Sequence, residues 1–322
     1  MRSTQWHLER AFALQRRCVI KSLGLSLAMV PLAAAIAGPM DSAPSSRWFT
    51  TSDGVRLHYL EAGAALRDSG TPTIAFVPGW TMPAWIWQAQ IEYLAPRFRA
   101  LALDPRGQGD SAIAETGYDY ARRAADITEW LAAAGVGQNV VLVGWSLGVL
   151  ESLQFMHDAR QAGVAAPVRA LVLVDNSVGV GTPGAGNPTF FARLRAKRRE
   201  TVTRFVRSMF KRAPDPRWLD DLVDAALRTP VQASIDLLRQ ARPRDFWREA
   251  LYATQQPVLY AYTPRFAQQG EIAKAGLPGL ETRLFAGAGH ALFVDEAASF
   301  NQVLERFIER ATHSAGPMGR PR

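Results

Sequence analysis

Residues 139–153 (NVVLVGWSLGVLESL) combine a β-branched apolar run, a glycine-flanked serine and a helical pattern, in that order. A strand that enters a helix through Gly-x-Ser-x-Gly makes a tight turn, and the glycines let the backbone pack closely there. The serine hydroxyl is then held at the end of the strand, beside the positive end of the helix dipole. The stretch therefore predicts a buried strand, a turn that presents Ser146, and a helix.

Apolar runs of strand length alternate with helical segments along most of the chain. A hairpin that turns at Asp53-Gly54 is predicted within residues 47–63, and helices are predicted at 84–95 and 121–135. The predicted buried strands are 73–79, 99–104, 139–144, 169–175, 257–262 and 281–285. Strands of this kind, bounded by helices, indicate an α/β fold with a mostly parallel sheet that is covered on both faces.

Residues 179–256 interrupt this alternation after the sixth strand. They open with a Gly/Pro-rich linker and continue as helical segments, which predicts a helical cap inserted over the carboxyl end of the sheet. Within the cap, the range 193–212 holds nine basic residues and one acidic residue, with apolar residues at helical spacing. We interpret this range as one helix with a basic face, which is either simply solvated or attracted weakly to an anionic membrane surface or to an acidic substrate.

The two ends of the chain differ in composition from its centre. Residues 1–37 place Arg16 and Arg17 ahead of an apolar run and end on Ala-Ile-Ala, which predicts a signal peptide of the twin-arginine type and a periplasmic or secreted protein. An uncleaved membrane anchor is the alternative for this segment, although the apolar run is short for a membrane span. The tail at 311–322 is predicted to be disordered. Export also argues against a nucleic-acid partner.

Four motifs in a fixed order resemble those of the α/β-hydrolase superfamily, over about residues 47–310. They read VPGWTMPAWIW (77–87), LDPRGQGDS (103–111), VGWSLG (143–148) and GAGHALFVDEAASFNQVLERF (287–307). The similarity is to the esterase and perhydrolase branch that carries a helical cap. The resemblance implies an eight-stranded, mostly parallel sheet, with a core formed by residues 47–178 and 257–310 and a cap at 179–256.

The resemblance also implies roles for individual residues. Ser146 matches the nucleophile and His290, in GAGHALF, matches the catalytic base. The backbone N–H groups of Trp80 and Leu147 match the two donors of the oxyanion hole. Pro78 departs from the pattern, because the family usually has a histidine there, so this loop must be braced in another way. No metal or organic cofactor is implied, and the one cysteine and five histidines lack metal-ligand spacing.

The acid of the triad is the least determined residue. The family usually places it shortly after the seventh strand, where this chain has Phe266 and no acidic residue between Pro257 and Glu271. A subset of the superfamily carries the acid after the sixth strand, where this chain has Asp175. We therefore consider Asp175 first, Glu271 second and the absence of an acid third. Asp104 and Arg106 are interpreted as structural.

These observations predict a serine hydrolase of carboxylic esters that acts through an acyl-enzyme. Perhydrolysis, lactone hydrolysis and C–C hydrolysis stay open as alternatives, and so does a hydrolase-like binding protein without turnover. A serine at this position argues against the aspartate-based chemistry of dehalogenases and epoxide hydrolases. The predicted partner is a small-molecule ester with an apolar acyl part. Trp80, Met82, Trp85 and Trp87 suit an acyl pocket or plain core packing equally well.

Overall fold

The computed structural model describes residues 43–179, 187–239 and 242–313. It contains one eight-stranded sheet with the strand order β1-β2-β4-β3-β5-β6-β7-β8. The strands are β1 (Ser45–Thr50), β2 (Arg56–Ala62), β3 (Thr73–Val77), β4 (Arg99–Asp104), β5 (Val140–Trp145), β6 (Val168–Val174), β7 (Val258–Tyr262) and β8 (Glu281–Leu284). The first two strands pair antiparallel with their neighbours and all later pairs are parallel, which confirms the predicted fold class.

Burial explains why the central strands read as continuous apolar runs. Every residue of β3, β4, β5 and β7 is buried, whereas β1 and β8 at the two edges are largely exposed. When helices cover both faces of a parallel strand, all of its side chains are buried, so apolar and polar residues do not alternate along it. The predicted hairpin turn is confirmed at Gly54, which has a φ of 82° and donates its N–H to the carbonyl of Thr51.

Helices of the core cover the sheet in two groups, with α1 packed on α11 and α2 packed on α3. The core helices are α1 (Gln88–Leu94), α2 (Tyr120–Ala133), α3 (Leu147–Gln161), α9 (Ala267–Gly276), α10 (Leu292–Asp295) and α11 (Ala297–His313). Single 3-10 turns lie at Ala64–Leu66, Ala84–Trp87 and Pro264–Phe266. No helix in the described ranges is both long and apolar enough to span a membrane.

Five helices between β6 and β7 form the predicted helical insertion. They are α4 (Pro188–Ala196), α5 (Arg198–Ser208), α6 (Pro216–Arg228), α7 (Val231–Arg239) and α8 (Arg244–Tyr252). The apolar side chains that were predicted to line one stripe are buried or half-buried, and Leu194, Val202 and Val206 are among the buried ones. The basic face is exposed, and its contact with an anionic membrane surface stays a prediction.

The prediction of a single helix over 193–212 is wrong. The helix breaks at Lys197, where the backbone leaves helical geometry with φ −139° and ψ 56°, and α5 ends at Ser208. The break turns Arg198 inward, where its guanidinium donates to the carbonyl of Thr229 and lies 3.4 Å from the hydroxyl of Ser234. The spacing of apolar residues does not reveal such a break, because the buried apolar stripe continues after Lys197.

The predicted boundaries differ from the observed elements at both ends of the core. Strand β1 begins at Ser45, two residues before the predicted start, and α11 continues through His313 into the range that was predicted to be a disordered tail. The predicted signal peptide at 1–37 and the tail beyond His313 lie outside the described residues. Export of the protein therefore stays a prediction.

Candidate active site

Ser146 stands on a strained turn between β5 and α3. Its φ of 53° and ψ of −119° are rare for a residue with a side chain, and such a conformation costs about 1–3 kcal/mol and persists only where the surroundings enforce it. The flanking glycines explain how the surrounding backbone enforces this conformation of Ser146. A Cβ atom at Gly148 would lie 2.4 Å from the carbonyl oxygen of Val77, and one at Gly144 would lie 2.4 Å from that of Gly148. The strand-to-helix packing that the motif predicts is therefore present.

Three of the predicted site residues form one chain of hydrogen bonds. The Oγ of Ser146 lies 2.9 Å from Nε2 of His290, and Nδ1 of the same ring lies 2.7 Å from Oδ2 of Asp175. The second oxygen of Asp175 accepts the backbone N–H of Thr263 at 2.7 Å. Asp175 is fully buried at the end of β6, so its carboxylate is fixed in direction by two partners.

Glu271 and Phe266 lie apart from this chain of bonds. Glu271 is exposed on α9, and Phe266 lines the cavity beside Ser146. Of the three arrangements considered for the acid, the structure brings Asp175 to the imidazole. The strand order makes this possible, because β6 lies between β5, which carries Ser146, and β7.

The loop that carries His290 is held by a carboxylate that the sequence analysis did not single out. Asp295 accepts the backbone N–H groups of Gly289 at 2.7 Å, Lys211 at 2.8 Å and Arg212 at 3.3 Å. The first of these is next to His290 and the other two belong to the cap. Asp295 therefore ties the histidine loop to the helical insertion. The sequence offered no signal for this contact, because Asp295 and Lys211 are far apart in the chain.

The two predicted oxyanion donors flank the nucleophile. Leu147 is the first residue of α3, and Trp80 follows Gly79, whose added Cβ would lie 3.0 Å from Cβ of Ser146. Within the described part of the chain, neither Trp80 N–H nor Leu147 N–H donates to a backbone carbonyl. Both donors are thus available to an oxygen atom next to Ser146, and the dipole of α3 favours negative charge there.

Gln108 braces the loop in which Pro78 replaces the usual histidine. Its amide nitrogen donates to the carbonyls of Gly79 at 3.1 Å and Met82 at 2.8 Å. Its amide oxygen accepts from Arg123 at 3.3 Å. Gln108 is fully buried, so it replaces water as the partner of these carbonyls. The sequence analysis asked how the loop is braced but passed over Gln108, which stands inside the motif LDPRGQGDS.

Replacing Gln108 should therefore disturb the oxyanion loop. The change Gln108→Leu keeps the approximate volume but leaves two buried carbonyls without their donor, and we expect the free energy of unfolding to fall by about 1–3 kcal/mol. A small displacement of Trp80 N–H should also lower kcat by roughly tenfold to a hundredfold. Melting temperature and steady-state ester hydrolysis measure the two effects.

The matched control is Gln154→Leu, the same change at another buried glutamine. Its amide donates to Asp158 on α3 rather than to the oxyanion loop. We expect this variant to lose stability while it keeps its kcat. An equal loss of kcat in the two variants would mean that Gln108 contributes to stability alone.

Asp104 and Arg106 occupy structural positions, as interpreted from the sequence. Asp104 accepts from His58 at 2.7 Å and from the N–H of Asp110 at 2.9 Å, and Arg106 forms a buried two-bond pair with Asp126. A ring nitrogen of His58 and carboxylate oxygens of Asp104 and Asp110 lie within 4.8 Å of one another, which is close enough to suggest metal ligands. The carboxylate of Asp104 already accepts protein donors on both oxygens, however, since Ala84 N–H contacts the second one. The donor set does not fit a cation.

A cavity of about 610 Å³ opens beside Ser146 and His290. Nine of the described residues that line it are apolar: Trp80, Leu147, Leu150, Phe205, Met209, Leu237, Leu238, Trp247 and Phe266. Phe205 and Met209 come from the helical insertion and the segment after α5, so the insertion forms part of the cavity wall. Of the tryptophans near the oxyanion loop, Trp80 lines the cavity, whereas Trp87 is buried and stacks on Phe293 at 3.8 Å.

Known proteins resemble the chain in both sequence and fold. The sequence profile described as the alpha/beta hydrolase family matches residues 74–303, which is more than half of the chain. The chain belongs to the alpha/beta hydrolase family. Among its relatives, the AB hydrolase superfamily protein YisY of Bacillus subtilis is 26% identical over 259 residues, which cover 74% of this chain and 91% of YisY.

Solved structures of other alpha/beta hydrolases share the fold. The esterase EaEST of Exiguobacterium antarcticum superimposes with a TM-score of 0.70 at 19% identity, covering 81% of this chain and 98% of that one. The esterase RhEst1 of Rhodococcus sp. ECU1013 superimposes with a TM-score of 0.68 at 24% identity, covering 82% of this chain and 98% of RhEst1. Other similar proteins are named as a haloperoxidase, an epoxide hydrolase and an enol-lactonase. Membership of the family alone therefore does not select the substrate.

Proposed function

We propose that this alpha/beta hydrolase is a serine esterase that cleaves small carboxylic esters through an acyl-enzyme. The observation that carries the proposal is the unbroken series of contacts from Ser146 Oγ to His290 Nε2 at 2.9 Å and from His290 Nδ1 to Asp175 Oδ2 at 2.7 Å. A serine within reach of a base, which is itself oriented by a third group, is the arrangement that activates a hydroxyl nucleophile.

In the first half of the reaction, Ser146 Oγ attacks the ester carbonyl carbon while its proton passes to Nε2 of His290. The carbonyl oxygen becomes negative and is stabilised by the N–H groups of Trp80 and Leu147. Asp175 stabilises the imidazolium. The C–O bond to the leaving group then breaks, and His290 returns the proton to the departing alkoxide oxygen, which leaves an acyl group on Ser146.

In the second half, a water molecule takes the place of the alcohol. His290 accepts a proton from the water as the oxygen attacks the acyl carbon, and the proton then returns to Ser146 Oγ as the acyl–serine bond breaks. The products are a carboxylic acid and an alcohol, and the enzyme is restored. The apolar residues of the cavity wall support an ester with an apolar acyl chain.

The binding-protein alternative depended on the missing acid after β7. The contact between Asp175 and His290 removes that reason, because a carboxylate from β6 reaches the imidazole instead. Perhydrolase and lactonase chemistry would use the same nucleophile and base. We place ester hydrolysis before perhydrolysis because it needs no co-substrate other than water, and a lactone is itself a cyclic ester.

A series of 4-nitrophenyl esters from acetate to decanoate tests the proposal. We expect release of 4-nitrophenol that saturates with substrate and is fastest at one chain length, because a cavity of fixed size fits one acyl chain best. The rate is followed by absorbance and is compared with buffer alone. A folded protein that accelerates none of these esters would contradict the proposed function.

A further inference from the structure

The cavity beside Ser146 has a cationic side that ester hydrolysis in itself does not require. Arg242, Arg244 and Arg265 line it, and none of the described lining residues is an aspartate or a glutamate. Arg242 and Arg265 are exposed and Arg244 is half-buried. Three guanidinium groups on the wall of one cavity give it a positive potential, which attracts an anion.

Neutral groups contact all three of these side chains. Arg244 donates to the hydroxyl of Ser177, two residues after Asp175. The guanidinium of Arg242 lies 4.7 Å from the ring centre of Phe246, and that of Arg265 lies 5.3 Å from the ring centre of Phe266. Contacts of this kind orient a guanidinium without neutralising its charge.

Arg242 and Arg265 form no ion pair within the described part of the chain. Arg242 and Arg265 thus keep donors that a planar anion such as a carboxylate fits in a two-bond geometry.

The position of Arg265 follows from the unusual place of the triad acid. The family's acid usually follows the seventh strand, and this chain has Arg265 and Phe266 there, both on the cavity wall. Because Asp175 orients His290 from β6, the segment after β7 is released from that role. A carboxylate in its usual place would have neutralised the cationic side, whereas Asp175 is fully buried beneath the imidazole.

We propose that the site selects esters with a carboxylate at the far end of an apolar acyl chain, that is, monoesters of dicarboxylic acids. Arg242, Arg244 and Arg265 bind the carboxylate while Ser146 attacks the ester carbonyl. The inference rests on the proposed esterase function and adds a substrate class to it. The apolar wall contacts the methylene groups between the two ends of the substrate.

Pairs of substrates with equal acyl length test the inference. The 4-nitrophenyl monoesters of adipic and suberic acids are compared with the 4-nitrophenyl esters of hexanoic and octanoic acids, and the ratio of kcat/KM within each pair is the readout. We expect the monoester to be preferred by at least about tenfold, since a hydrogen bond to a charged group contributes about 1.5–3 kcal/mol. The preference should decrease at high salt.

Variants then assign the preference to the cavity. The double change Arg242→Gln and Arg265→Gln should bring the ratio close to one, mainly through a higher KM for the monoester. These two side chains are exposed, so the variant should fold, which its melting temperature checks. The double change Arg248→Gln and Arg283→Gln is the matched control, because it removes two positive charges from exposed positions outside the lining residues, and it should keep the ratio of the wild type.

The possible failures can be told apart. If the wild type hydrolyses the neutral esters and the monoesters with equal kcat/KM, or if the double variant keeps the preference for the monoester, the inference is wrong while the esterase function stands. If the folded wild type hydrolyses neither kind of ester, the proposed function itself fails, and this inference fails with it.

Discussion

The variant Ser146→Ala should lose about 10⁶ in kcat for ester hydrolysis, because no other group can form the acyl-enzyme. The fold should persist, since alanine occupies nearly the same space and the neighbouring glycines that impose the turn are unchanged. The measurement combines steady-state hydrolysis of the best 4-nitrophenyl ester with a melting curve.

The matched control for this variant is Ser208→Ala. Ser208 also lines the cavity, but its hydroxyl donates to the carbonyl of Phe205 and has no contact with His290 among the described hydrogen bonds. We expect this variant to retain most of its kcat. A Ser146→Ala protein with activity within tenfold of the wild type would show that the mechanism is wrong.

The second large effect is expected for Asp175→Asn, which should lower kcat by roughly 10⁴. The carboxylate accepts Thr263 N–H with one oxygen and contacts Nδ1 of His290 with the other. In asparagine, the oxygen would keep the bond to Thr263, so the NH₂ group would face Nδ1. That nitrogen would then have to be the acceptor, and the ring proton would move to Nε2. His290 could no longer take the proton of Ser146.

Glu271→Gln is the control for this variant, because it removes a charge from an exposed position on α9. A surface carboxylate contributes little through weak, screened interactions, so turnover should stay near that of the wild type. Full activity in Asp175→Asn together with a large loss in Glu271→Gln would show that Glu271, and not Asp175, is the triad acid.

Local patterns in the sequence were sufficient to predict the buried strands and the turn that presents Ser146. The strand, the turn at Ser146 and the helix are consecutive in the chain, and each follows from short-range sterics. The fully apolar runs of β3 and β5 likewise reflect burial on both faces, which is a property of the residues themselves. These features needed no knowledge of distant contacts.

Contacts between distant segments could not be predicted in the same way. Gln108 meets Gly79 across 29 positions, and Asp295 meets Lys211 across 84 positions. No spacing rule links such pairs. The break at Lys197 has the same origin, since Arg198 turns towards carbonyls at the end of α6. The position of the acid lies between these two cases. The family pattern named Asp175 as a candidate, but the strand order was needed to choose it over Glu271.

Covalent labelling with a fluorophosphonate is the most direct test of the central claim that Ser146 is an activated nucleophile. The reagent bonds to a hydroxyl that an adjacent base has activated, and peptide mass spectrometry locates the adduct. We predict one adduct per chain on Ser146, the same adduct in Ser208→Ala, and none in Ser146→Ala. A folded wild-type protein that takes up no label, or that carries it on another residue, would contradict the account.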